Sequence, residues 1–180
     1  MIIAKRKRKE NIAEYILYLY QVEDLIRAFH FDMQLIRENL IKSYNADEET
    51  SEELAAWYKN LLIMMEKEGK QEKGHMQFLS NLLNEVNEFH LRLLSSGADK
   101  MYPSVYQAVA GLIDELKERN PNTDKAVQVA IDGVYGYLML KIQKKEIHSE
   151  TEEAVKRMSN WLAYLSRLFR AYENGNFEIS

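Results

Sequence analysis

Apolar residues recur at three- and four-residue spacing through almost the whole chain, and no alternating run bounded by turn residues interrupts them. That spacing lines one face of a helix, whereas a half-buried strand needs a period of two. An all-α fold follows. Tyr15, Tyr18, Leu19, Val22, Leu25, Ile26 and Phe29 form the first stripe, and Met33, Ile36 and Leu40 continue its phase. Asn11, with Glu14 three residues on, suits its N-cap. Either one long helix runs from Asn11 to about Tyr44, or it breaks around His30 to Asp32.

Thr50 or Ser51 can cap a second helix carrying Leu54, Trp57, Leu61, Met64 and Met65. A third runs from Gln71 or His75 to Ser96 and stops at Gly97, and a fourth follows Pro103 and ends at Asn120-Pro121. The fifth, from Asn122 or Thr123 to about Ile147, is apolar nearly all round, which predicts the central, most buried element. Ser149 and Glu152 form a capping box for the last helix, which ends at Gly175. The expectation is a single antiparallel bundle of five or six helices over residues 11–180.

At 180 residues the chain can bury one sizeable core, and 46% apolar with 29% charged residues excludes intrinsic disorder. It has no cysteine, which excludes disulfides, thiolate metal sites and cysteine nucleophiles and is compatible with a cytoplasmic protein. No apolar stretch reaches the length of a membrane span. Residues 1–10 hold five basic groups and one acid, so the remaining chain carries eight more acids than bases. These first ten residues read as a basic N-terminal arm. Deletion of residues 1–9 is expected to leave the fold intact, and the acidic body makes nucleic acid an unexpected partner.

Few residues suggest chemistry. A carboxylate-bridged dimetal bundle needs two Glu-x-x-His sets, and only Glu72-x-x-His75 occurs, in a glycine-containing turn that reads as a solvated charge cluster. No zinc motif, nucleophile elbow or phosphate loop is present, so no metal, cofactor or catalytic residue is expected. Gly133-Val-Tyr-Gly136 has the GXXG spacing of an RNA-binding loop but lies in a helical pattern, where small residues serve close packing. His90 falls on the apolar face with Leu79, Leu83 and Val86, as a core histidine or, alternatively, a ligand. Glu23, Arg27 and His30 stand at i, i+4 and i+7 on one flank, forming either a surface salt-bridge ladder or the lining of a small polar pocket.

The stretch from Lys7 to Arg27, with Asn11-Ile-Ala-Glu-Tyr15 and Tyr18-Leu-Tyr-Gln-Val22 at its centre, resembles the opening of an uncharacterised bacterial family of domains of unknown function. The resemblance implies an all-helical fold and no particular chemistry. The leading expectation is a non-enzymatic cytoplasmic protein that associates with itself or another protein. The alternative is a small-molecule-binding bundle, conceivably an enzyme, with its pocket near Glu23, Arg27, His30 or His90. Leu17, Tyr20 and Ala28 form a secondary apolar patch opposite the main stripe, which Leu35 continues if the first helix is unbroken, and this is the expected face of a homodimer.

Overall fold

The computed structural model describes residues 2–119 and 123–179. Among the described residues it has eight α-helices and no strand, against the five or six helices expected. Two local effects account for the difference. The expected arm is itself a helix, α1 (Ile2–Glu10), and the long first stripe is split into α2 (Ile12–Ala28) and α3 (Met33–Ile36). His30 and Phe31 sit between them in left-handed backbone conformations, with φ of 51° and 61°, so α2 cannot continue. Asp32 then caps α3 by accepting from the Gln34 and Leu35 amides. One π-turn, Arg37–Ile41, and one 3₁₀ turn, Lys42–Tyr44, follow α3.

Asn11 caps α2 as its position in the sequence requires, its Oδ1 accepting from the Glu14 amide at 3.1 Å. The next helix, α4 (Glu48–Lys67), starts earlier than expected because Asp47, rather than Thr50 or Ser51, accepts the free amide of Thr50 at 2.7 Å. Gly97 ends α5 (Gln77–Ser96) at φ 68°, a conformation that glycine adopts without side-chain strain. Asp99 caps α6 (Tyr102–Arg119) by accepting from the Met101 and Tyr102 amides. The stop expected at Asn120-Pro121 and the start at Asn122 lie outside the described residues. Beyond them come α7 (Ala126–Ile142) and α8 (Ser149–Glu173), the latter preceded by His148 and lacking the side-chain cap expected from Ser149.

The most widely packed helix is α8, which touches α1, α2, α5, α6 and α7. Its Trp161, Leu165 and Phe169 lie in the core with Ile16, Leu19 and Ile26 of α2 and Leu79 and Val86 of α5. The expected central role of α7 is corrected accordingly. Only its first turns are buried, through Ala126, Val127, Val129, Ala130 and Ile131, and no residue from 134 to 142 is buried. Gly133 lets α7 approach its neighbours, because a Cβ there would meet Leu116 at 3.3 Å and Met158 at 3.4 Å. Gly136 has no such contact and is exposed.

Helix α1 is no free arm. Ala4 is buried, α1 packs on α2 and α8, and the Arg8 guanidinium forks onto the Glu173 carboxylate at 2.6 and 2.8 Å. Lys7 reaches Glu14 at 2.8 Å.

Candidate functional site

Glu23 is 0% exposed, and an unpaired carboxylate there would be costly. Its two oxygens are both used. Oε1 accepts the Met76 backbone N–H at 2.7 Å, and Oε2 lies 2.6 Å from His75 Nδ1. An ionised carboxylate only accepts, so His75 donates from Nδ1. One turn further along α2, Arg27 donates Nε to the Lys70 carbonyl at 3.1 Å and Nη2 to the Gly74 carbonyl, while Nη1 meets Asp24 at 2.7 Å. The i, i+4 pair thus holds the backbone of the α4–α5 loop at three points. Met76 offers no side-chain cap, so Glu23 and Glu68 satisfy the first amides of α5, Glu68 taking Gln77 N–H at 2.6 Å.

Aromatic rings close over this clamp. His75 stacks on Tyr20 with centroids 3.5 Å apart and planes 6° from parallel, and Tyr135 of α7 meets Tyr20 edge-on at 5.4 Å. The Tyr135 hydroxyl donates to Asp24 at 2.5 Å. The Tyr20 hydroxyl is buried with no hydrogen-bond partner among the described residues, and burial, followed by the charges of Asp132 and Glu23, raises its pKa. Burial likewise raises the Asp132 carboxyl, against the opposing effects of His75 and a Gln128 hydrogen bond.

The structure therefore brings Glu23 and Arg27 together but leaves out His30, which is exposed in the turn after α2. The ladder reading assumed that helical geometry persisted through i+7, and α2 stops at Ala28. His75, read as part of a solvated cluster with Glu72, is instead the partner of Glu23. Nothing local in the sequence links residues 52 positions apart. The expected dimer patch also changes, since Tyr20 is only 1% exposed and faces His75 rather than solvent.

His90 is buried as expected, at a separate place between α5, α6 and α8. Trp161 Nε1 donates to the Tyr102 hydroxyl at 3.1 Å, and that hydroxyl lies 2.7 Å from His90 Nδ1. Indole can only donate, so the chain of bonds runs from Trp161 through Tyr102 to an unprotonated Nδ1. Burial, with the Lys117 charge second, lowers the His90 pKa to about 4, consistent with a neutral ring. This is a core hydrogen-bond relay. Among the described residues no group of three or more histidine and carboxylate side chains is placed to hold a metal ion, and no helix is long and apolar enough to cross a membrane.

Fold and site together define an all-α bundle whose buried polar residues fasten a loop and an interhelical core. The chain belongs to the DUF4924 family, a domain of unknown function whose family model matches residues 1–176. Interleukin-6 from Felis catus is 26% identical over 160 residues, covering 83% of this chain and 76% of that protein. No solved structure matches.

Proposed function

We propose that this is a non-enzymatic, cytoplasmic bacterial protein that acts by pairing with a second copy of itself through the C-terminal half of α7. One observation carries the reading: residues 134–142 are apolar at seven of nine positions and only half-covered, with Val134, Tyr135 and Tyr137 resting on the core and Ile142 exposed. A helix apolar on all sides is stable when all sides are covered. Met139 and Ile142 stand at i and i+3 on one face, and Ile142 is 59% exposed. Gly136 beside it leaves room for a close helix approach.

A two-fold interface apposes one surface patch with a copy of itself, so a patch of one charge would repel itself. The basic side chain within this segment, Lys141, is offset by Glu152 at 3.4 Å and lies 5.0 Å from the Tyr137 ring centre. The small-molecule alternative has less support, because the polar atoms of Glu23 and Arg27 are already engaged by the loop. The cytoplasmic assignment rests on a fold that needs no disulfide, and recovery of the protein from the culture medium would contradict it.

Light scattering at micromolar concentration is the test. The expected mass is twice 21.2 kDa, falling to the single-chain mass in Met139→Glu and Ile142→Glu with helicity unchanged. A monomeric wild-type chain, or a dimer indifferent to both substitutions, overturns the reading.

A further inference from the structure

Folding of the basic run into α1 sorts its five cations into two kinds. Arg6 is 4.0 Å from Glu10, Lys7 pairs with Glu14, and Arg8 forks onto Glu173. Lys5 and Lys9 have no partner among the described residues, and both are exposed. They stand at i and i+4, where like charges destabilise a helix. The same two lysines border a cleft of about 280 Å³ between α1, α2 and α4, lined also by Ala4, Arg8, Tyr15 and Trp57. No acidic residue lines it, although the chain beyond residue 10 is acidic.

We propose that this cleft binds a small ligand consisting of a planar aromatic ring that carries a phosphate, of the nucleoside monophosphate class. Two ammonium groups one turn apart match a dianion better than a single carboxylate, and an anion between them removes their mutual repulsion. Tyr15 and Trp57 supply apolar ring surface against which a base can stack. The cleft is near the lower end of ligand-pocket volumes, roughly 300 Å³, which suits a single nucleotide. A longer polyanion would extend over an acidic surface and be repelled.

The test is titration of the full chain with adenosine monophosphate, read by tryptophan fluorescence, to which Trp57 in the cleft and Trp161 in the core both contribute, and by calorimetry. Saturable quenching is expected, weakening as salt is raised. Lys5→Gln combined with Lys9→Gln should reduce affinity by roughly tenfold or more without lowering the melting temperature. Trp57→Leu should weaken binding by calorimetry, whereas Lys144→Gln with Lys145→Gln, a basic pair elsewhere, should not. Adenosine alone and inorganic phosphate alone should each bind more weakly than the joined molecule. Absence of saturable binding at millimolar nucleotide, or binding indifferent to the Lys5 and Lys9 changes, overturns the proposal. A single-stranded oligonucleotide binding roughly tenfold more tightly than the mononucleotide, with that binding lost in the double variant, also overturns it and assigns the cleft to nucleic acid.

Discussion

Replacing Glu23 by alanine tests whether the α2 clamp holds the α4–α5 loop and the start of α5. Glu23 is fully buried and makes two short bonds, to Met76 N–H at 2.7 Å and to His75 Nδ1 at 2.6 Å. Hydrogen bonds to a charged group contribute about 1.5–3 kcal/mol each, and an orphaned buried amide costs about 1–3 kcal/mol. These effects overlap, because the Met76 amide is counted in both, so the expected loss is about 3–5 kcal/mol. Helix propensity acts in the opposite direction, since alanine is the better helix former. Any loss therefore comes from the clamp. Glu23→Gln keeps one acceptor for Met76 but turns an amide toward His75, and should cost about 1–2 kcal/mol. Urea unfolding measures both variants, and amide exchange at Met76 and Gln77 supplies a local readout that should speed up most in the alanine variant. A cost below about 1 kcal/mol with the Met76 amide still protected would show that Glu23 does not hold the loop.

The remaining expectations concern the core relay and the N-terminal helix. Because the His90 pKa falls to about 4 in the folded chain from an ordinary 6.5, the unfolded chain binds a proton that the folded one excludes between those values. Stability from neutral His90 is present above pH 6.5 and is lost as pH falls toward 4, on the order of 3 kcal/mol. His90→Gln should flatten the stability slope in that window, and an unaltered slope in urea titrations at stepped pH would remove His90 from the account. Deleting residues 1–9, expected from the sequence to be harmless, should instead cost roughly 2 kcal/mol through loss of Ala4 burial and the Arg8–Glu173 fork. Thermal melting with no change on deletion would show that α1 contributes nothing to the body.

Much of the helical layout was legible because its signals are local. The stripe through Leu19, Val22 and Ile26, the Asn11 cap and the Gly97 stop each depend on residues a few positions apart. The burial of His90 was legible for the same reason, since its helix neighbours are apolar. Glu23 and Arg27 were correctly placed on one flank, but their partners lie in the loop of residues 68–76, which only tertiary packing brings to α2. His30 leaves the flank because the break around His30 to Asp32, one of the two alternatives in the sequence, is the one that forms, in a left-handed turn shared with Phe31. In α1 the dense charge concealed a helix whose Ala4 packs inward while Lys5 and Lys9 face out. For α7, the all-round apolar pattern specified a need for cover without distinguishing cover by the same chain from cover by another.

The association face is tested most directly by exploiting the absence of native cysteine. A spin label on Gln143→Cys, exposed at the end of α7 beside the face, reports the distance between two copies by pulsed dipolar spectroscopy. Pairing through α7 predicts a single short intermolecular distance that disappears when labelled chains are diluted with unlabelled ones. A label on Lys100→Cys, at the far end of the α5–α6 connection, should give a longer one. A dimer in which the Gln143 labels show no dipolar coupling would contradict the α7 interface.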